Sequence, residues 1–203
     1  MNMKLNIKIG IFTLLLITST FAQRDAESIL TTLQQKFHST NDISAWFVQS
    51  INGKVNLKGK FFYKKENNFK LELNNLSIIS NGITSWNFNK KENKVIISDY
   101  DQSDPSILSL NKFIEDYPKQ CSLKLDNENG KDILVLIPKK SGMSFKSVKI
   151  SVNPDDLIER MSIEDLNGSV IQIEFSHYQL DKKLSNSFFT FTPPKGSKVI
   201  DLR

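Results

Sequence analysis

The feature that most constrains the fold is a period-two alternation of apolar and polar residues, repeated in short runs along most of the chain. In residues 55–63 and 69–73, apolar side chains or glycine occupy every second position, with mostly lysine, asparagine and glutamate between them. This alternation is typical of antiparallel strands that bury one face and expose the other. Turn-forming pairs such as Asn52-Gly53 and Asn81-Gly82 separate the runs, so the strands are expected to form a meander.

Two segments depart from this period and predict helices. Residues 25–37 carry apolar side chains at helical spacing, and they begin at Asp25, a residue type that caps helices. The pair Asp104-Pro105 opens a second apolar segment, and Pro118 closes it. The last predicted strand covers residues 188–192. The chain is therefore predicted to be mainly β, with ten or eleven strands in an antiparallel sheet and two or three short helices.

The balance of strands and helices predicts the shape of the sheet. A flat sheet of this length would leave one apolar face uncovered, so the sheet is expected to curve strongly and the helices to cover its concave face. Two short helices cannot fill that area at the packing density of a protein interior. Either the sheet nearly closes on itself, or the interior keeps a cavity.

The N-terminus predicts export. Residues 1–22 carry Lys4 and Lys8, then an apolar run over residues 9–17, then Ala22 at a cleavage site, which is the order of a signal peptide. A membrane-spanning helix needs roughly 20 apolar residues, and this run is shorter. The only cysteine, Cys121, lies far from the cleavage site. We therefore expect residues 23–203 to form a single soluble, unlipidated domain in the periplasm, with no internal disulfide.

The sequence carries no pattern typical of an enzyme or a metalloprotein. Neither His38 nor His177 has a companion at metal-ligand spacing, and the G-x-S-x-G nucleophile motif is absent. No glycine-rich phosphate loop precedes a helix. The formal net charge of +5 falls to +3 once Lys4 and Lys8 are removed, which is too little to favour nucleic acid. We predict no catalytic residues, metal, cofactor or nucleic-acid partner.

Three motifs, in this order along the chain, carry a family resemblance. "FVQS" at residues 47–50 follows the first predicted helix, "SNGITSWNFN" covers residues 80–89, and "FTFTPPKG" covers residues 189–196. Together with "GKFFYKKENNFKLEL" at residues 59–73, they closely resemble the LolA family of periplasmic outer-membrane lipoprotein carriers. One departure inside the second motif is Asn81, which replaces the aspartate of the family's turn.

The resemblance implies a fold and a function. The fold would be an unclosed half β-barrel covered by a helical lid, with an apolar interior that takes the acyl chains of lipoproteins. The protein would receive its cargo from an inner-membrane lipoprotein-release transporter and deliver it to an outer-membrane acceptor of unknown identity. It would act as a monomer. Other interpretations are a carrier of another lipid or glycolipid, and a periplasmic interaction module of the same fold without a transport role.

The apolar positions of the predicted strands and lid provide a candidate acyl-binding set, although ordinary core packing would produce the same pattern. The candidates are Phe47, Phe61, Tyr63, Phe69, Leu71 and Trp86 from the sheet, and Ile107, Leu108, Leu110 and Ile114 from the lid.

A candidate for control of the lid also follows from the resemblance. Relatives of the best-known type have an arginine and then a proline after the second strand, where this chain has Lys65 and Glu66. The resemblance implies that the family arginine holds the lid closed. A lysine can donate to a lid carbonyl but lacks the planar fork of arginine, so the resemblance implies a weaker or differently arranged closure through Lys65. A solvated lysine at a strand end is the alternative.

Overall fold

The computed structural model describes residues 25–101 and 110–203. Within them, helix α1 spans Ala26–Ser39, and a second helix, which we call the lid helix, spans residues 110–120. A 3-10 turn at Asn186–Phe189 lies near the C-terminus. The described residues form twelve strands: β1 (Asp42–Ile51), β2 (Lys54–Lys64), β3 (Asn68–Leu73), β4 (Leu76–Asn81), β5 (Thr84–Asn89), β6 (Lys94–Asp99), β7 (Cys121–Glu128), β8 (Lys131–Pro138), β9 (Phe145–Val152), β10 (Ile158–Asp165), β11 (Val170–Leu180) and β12 (Lys198–Asp201).

All of these strands belong to a single sheet, in the order β12-β6-β5-β4-β3-β2-β1-β11-β10-β9-β8-β7. Among the described residues, neighbouring strands are antiparallel except β12, which pairs with β6 in parallel. The strands β12 and β7 form the two edges, so the sheet is unclosed. The predicted mainly β, unclosed half-barrel with a helical lid is thus confirmed. The predicted signal peptide lies outside the described residues.

The sheet bends around α1 and the lid helix. On one side, the ring of Phe37 in α1 lies 5.1 Å from the ring of Tyr63 in β2. On the other side, the lid-helix rings of Phe113 and Tyr117 lie 6.4 and 5.1 Å from the ring of Phe145 in β9. Since β1, β11 and β10 stand between β2 and β9, the sheet wraps round the helices. The main core therefore lies between this face of the sheet and the helices.

The start of α1 is fixed by its sequence. Asp25 caps the helix by accepting from the Ser28 amide, and the Ser28 side chain in turn accepts from the Asp25 amide, which completes a capping box. The buried side of the helix consists of the residues that the helical spacing predicts, namely Ala26, Ile29, Leu30, Leu33 and Phe37. Among the residues that the structure describes, no helix has the length and hydropathy of a membrane span.

The C-terminal segment, residues 181–197 between β11 and β12, crosses the opposite face of the sheet. The ring of Phe188 packs against Phe62 of β2 at 5.0 Å, and the ring of Phe191 packs against Phe88 of β5 at 5.2 Å. Phe189 between them is fully buried. This segment was predicted to be a strand over residues 188–192, and that prediction is wrong. Phe188 and Phe189 make packing contacts on the face of the sheet instead of pairing at its edge, and the last strand is β12.

A buried carboxylate holds the beginning of this C-terminal segment. Asp42, at the start of β1, is 2% exposed and accepts hydrogen bonds from the amides of Lys182 and Leu184, at 2.9 and 3.1 Å. Lys64 of β2 donates to the Leu184 carbonyl at 2.8 Å. These hydrogen bonds fix the chain to the sheet just before Phe188, Phe189 and Phe191.

The turn between β4 and β5 explains the departure at Asn81. The Asn81 Oδ1 accepts from the amides of Ile83 and Thr84, at 3.0 and 2.8 Å, which an aspartate oxygen could do equally well. Gly82 has a φ of +82°, and a Cβ there would lie 2.3 Å from the Glu66 carbonyl oxygen. The turn therefore requires glycine at residue 82 and an Asx-type acceptor at residue 81.

The packing of the C-terminal segment can be tested at Phe189. Because this side chain is fully buried, Phe189→Ala should lower the free energy of unfolding by roughly 3 to 5 kcal/mol. Urea denaturation followed by circular dichroism measures the change. The control is Val199→Ala, whose side chain is 47% exposed and should matter little. Equal stability of the two variants would contradict the assigned packing.

An apolar interior beneath α1 and the lid helix

Most of the candidate acyl-binding residues meet on the helix-covered face. Exposure of these side chains is 7% or less, and they belong to one cluster with α1. The members are Phe47, Phe61, Tyr63, Phe69 and Leu71 from β1 to β3, and Leu110 and Ile114 from the lid helix. The candidates Ile107 and Leu108 lie outside the described residues.

Trp86 is not in this cluster. It pairs with Ile79 of β4, which pairs with Lys70 of β3, whereas the interior residue Leu71 pairs with Ile78. Directly opposed residues of antiparallel strands share a face, and adjacent residues point to opposite faces. Trp86 therefore lies on the face that the C-terminal segment crosses, and its prediction as a residue of the interior is wrong.

A small apolar cavity lies between the helices and the sheet, which otherwise pack directly on each other. Its volume is about 20 Å³, and its walls are Leu33, Phe37, Ile43, Phe61, Leu110, Ile114, Leu157, Ile158 and Tyr178. Such a space holds about one water-sized sphere, while pockets that bind small organic ligands have roughly 300 Å³ or more. A hydrocarbon chain can occupy this space only when the lid helix or α1 moves away from the sheet.

Tyr178 is the polar side chain in the cavity wall, and Tyr63 lies close by against Phe37. The Tyr178 hydroxyl donates to the Ile158 carbonyl at 2.6 Å, and burial raises the pKa of Tyr178. Burial, together with Tyr100 and Glu115, raises the pKa of Tyr63 to about 12. Both hydroxyls therefore stay protonated at neutral pH. The interior offers a hydrocarbon ligand an uncharged lining.

The lid helix is irregular because of Pro118. A proline has no amide hydrogen, so it cannot donate to the carbonyl four residues earlier, at Ile114. The side chain of Gln34 in α1 supplies that donor, with its Nε2 at 3.0 Å from the Ile114 oxygen. The preceding residues Lys112–Asp116 form a π-helical turn, in which the Tyr117 amide donates to the Lys112 carbonyl. The lid helix thus contains a distorted turn, bonded to α1 through a side chain.

Polar groups connect the end of α1 to the lid helix. We call the set of His38, Lys65 and Glu115 the polar joint. The His38 Nε2 lies 3.1 Å from the Glu115 Oε1, but the two groups are not aligned for a hydrogen bond. The Lys65 Nζ donates to the His38 carbonyl at 2.8 Å. Lys65 therefore contacts the end of α1, and α1 in turn contacts the lid helix.

No metal site accompanies this interior. Within residues 25–101 and 110–203, no three His, Cys, Asp or Glu side chains come together in a group that could hold a metal ion. Cys121 is a free, buried thiol of the core.

Fold and interior together define the class of the protein, which is an unclosed half-barrel whose helix-covered interior is apolar and uncharged. The chain belongs to the LolA family, outer membrane lipoprotein carrier protein, whose family model matches residues 38–192. The motifs that carried the resemblance in the sequence were therefore informative. This carrier family is non-enzymatic.

Individual relatives agree with the family. The outer-membrane lipoprotein carrier protein of Francisella tularensis subsp. novicida (strain U112) is 28% identical over 181 residues, which cover 83% of this chain and 86% of that protein. The protein of the same name from Neisseria meningitidis serogroup C (serotype 2a, strain FAM18) is 28% identical over 179 residues, covering 83% and 84%. A crystal structure of an uncharacterized conserved protein from Thermus thermophilus superposes with a TM-score of 0.57, at 14% identity, over 87% of this chain and 98% of that one. At that identity the superposition shows the fold alone.

Several residues of the interior were not predicted from the sequence. Leu33 and Phe37 lie on the predicted apolar side of α1, so the helical spacing already contained their signal. Leu157 and Ile158 follow a turn, and Tyr178 lies within the bulge in the pairing of β11 with β1, where alternation no longer reports the face. The bond from Gln34 to Ile114 has no signal in the sequence apart from Pro118.

The role of Gln34 in holding the lid helix can be tested directly. Gln34→Ala removes the donor to the Ile114 carbonyl, and should lower the free energy of unfolding by about 1 kcal/mol. Amide hydrogen exchange in residues 110–120 should become faster, since the helix loses a bond to α1. The matched control is Gln35→Ala, at the adjacent exposed position. Unchanged exchange in the Gln34 variant would refute this role.

Proposed function

We propose that the protein is a periplasmic carrier that binds the acyl chains of lipoproteins between its sheet and its two helices. It receives cargo from an inner-membrane lipoprotein-release transporter and passes it to an outer-membrane acceptor. Two findings support this. The chain belongs to a lipoprotein carrier family, and a small apolar cavity with uncharged walls lies between α1, the lid helix and the sheet. The cavity carries the proposal, because it is the space that a lipid would enlarge.

The energetics require such a space. Each methylene group exposed to water costs roughly 0.8 kcal/mol, so a chain of about sixteen carbons costs on the order of 10 kcal/mol. Aromatic and aliphatic side chains from the sheet and both helices can offset this cost by replacing water around the chain. The proposed contact set contains Phe47, Phe61, Tyr63, Phe69, Leu71, Leu110 and Ile114, with Ile107 and Leu108 as further members.

Loading requires the lid helix to move, and its structure suits that movement. The π-helical turn at Lys112–Asp116 replaces regular helical hydrogen bonds, and Pro118 removes another. The rings of Phe113 and Tyr117 contact each other and Phe145 edge-on or tilted, at 5.0 to 6.4 Å. These contacts are apolar, and acyl methylenes can replace them. The lid helix would exchange its own aromatic contacts for those of the cargo.

Lys65 is proposed to control closure through α1. Its Nζ donates to the His38 carbonyl at the end of α1. The side chain of His38 faces Glu115 of the lid helix. In the closed protein this bond fixes the α1 end of the polar joint. Loss of the bond would favour opening.

The proposed closure predicts the kinetics of a Lys65 variant. Lys65→Ala should accelerate uptake of a fluorescent fatty acid about fivefold, because a hydrogen bond of about 1 kcal/mol no longer favours the closed state. Stopped-flow fluorescence measures the rate. Lys65→Arg should restore slow uptake, and Lys58→Ala, at an exposed position of β2, should leave the rate unchanged. If Lys65→Ala behaves like Lys58→Ala, Lys65 is a solvated lysine without this role.

The acyl-binding interior predicts a loss of affinity in a lid-helix variant. Leu110 is 5% exposed and lines the cavity, so Leu110→Gln should weaken binding of a fluorescent fatty acid or a synthetic lipopeptide roughly tenfold. Fluorescence titration of residues 23–203 gives the Kd.

The control for this experiment must cost stability without touching the cavity. Ile79→Gln fits, because Ile79 is 1% exposed and lies on the opposite face of the sheet. Urea unfolding of both variants verifies that they are folded. Equal loss of affinity in the two variants, or no binding by the parent protein, would count against the assigned site.

A further inference from the structure

A groove outside the apolar interior lies where the lid helix ends. It has a volume of about 480 Å³ and is lined by Lys119 and Gln120 of the lid helix and by residues 139–143 between β8 and β9. The amide of Lys139 donates to the Gln120 carbonyl at 3.0 Å, which fixes the two walls relative to each other. The groove is therefore bounded by ordered backbone on both sides.

The charged residues that line this groove are all lysines. Lys119, Lys139 and Lys140 line it and are exposed. In the described part of the chain, Asp116 is the carboxylate within ion-pair distance of these lysines, at 3.8 Å from Lys119. Such an exposed pair neutralises little charge.

Lysines on the neighbouring strands are arranged differently. Lys131 pairs with Glu159 at 2.7 Å, and Lys149 pairs with Glu128 at 2.7 Å. Lys139 and Lys140 have no such carboxylate partner among the described residues. The positive charge of the groove is thus left available for an anion.

One wall of the groove is apolar. Met143 is half-buried, and its Sδ lies 3.9 Å from the Sγ of Cys121. Cys121 is 1% exposed and belongs to the main core. The groove thus combines a cationic rim with an apolar wall that touches the core. An anion that carries hydrocarbon matches both, whereas inorganic phosphate matches only the rim.

We propose that this groove binds the phosphate of an anionic phospholipid headgroup, so that the end of the lid helix docks on a membrane surface. Phosphate oxygens interact with the three ammonium groups, and glycerol or acyl carbons contact Met143. An anionic lipid surface attracts lysines only within about a Debye length, because salt screens the charges beyond that distance. The ligand is a membrane lipid and not the cargo, so the inference goes beyond the proposed carrier function and stands without it.

Vesicle binding tests the inference. The full mature chain should cosediment with phosphatidylcholine vesicles that contain phosphatidylglycerol, and not with vesicles of phosphatidylcholine alone. The double variant Lys139→Gln/Lys140→Gln should bind about 25-fold more weakly, because each lysine near an anionic surface contributes about fivefold. Fatty-acid uptake by this variant should equal that of the parent chain, which separates this site from the acyl-binding interior.

The controls distinguish a built site from net charge and from soluble phosphate. Lys54→Gln/Lys58→Gln removes the same charge from exposed positions of β2, and should retain most of the vesicle binding. Inorganic phosphate and glycerol phosphate at millimolar concentration should not displace the vesicles. Equal losses in the two double variants, binding to neutral vesicles, or displacement by inorganic phosphate would each overturn the proposal.

Discussion

The structure depends on how a large apolar sheet face is removed from water. Among the described residues, twelve strands form one unclosed sheet, and α1 and the lid helix cover the main core on one face. The sheet bends so that Phe37 meets Tyr63 of β2 while Phe113 meets Phe145 of β9. Hydrophobic burial between helices and sheet is the dominant favourable term in this arrangement. It is also the interaction that a hydrocarbon ligand can replace.

The elements that cover the two faces of the sheet are attached to it in different ways. On one face, Phe189 is fully buried and Asp42 binds the amides of Lys182 and Leu184. On the other face, the lid helix contains a π-helical turn and a proline, and the side chain of Gln34 satisfies the carbonyl of Ile114 that the proline leaves free. The C-terminal segment is fixed to the sheet by buried packing and hydrogen bonds, and the distorted helix is the element suited to move. The aromatic contacts under that helix would be exchanged for those of the ligand.

The alternation of the sequence predicted which residues share a face, but not always which face the helices cover. Phe61 and Leu71 lie in the interior as predicted, because the alternating apolar residues of β2 and β3 share the face that the helices cover. Trp86 was misplaced because the C-terminal segment covers β5 on the face opposite the helices, while Asn87 on the helix side of β5 is exposed. The apolar residues of β5 pack beneath the C-terminal segment, and no local pattern reveals that cover. The predicted strand at residues 188–192 failed for the same reason, since phenylalanines that pack on a sheet resemble those within one. In the sequence, only Pro118 indicated that the lid helix is irregular. The residue that donates to the freed Ile114 carbonyl, Gln34, lies 80 positions away from Ile114 and could not be predicted.

The helices cover an apolar interior, and we propose that they separate from the sheet to admit a hydrocarbon chain. Distances between spin labels on the lid helix and on the sheet, at the exposed positions Asp116 and Lys58, report this directly. Pulsed electron resonance would be recorded on residues 23–203 with and without a synthetic diacylated lipopeptide. We expect a short distance in the free protein and a second, longer population that grows with lipopeptide until it saturates. A distance distribution that stays unchanged while the lipopeptide is bound would contradict it.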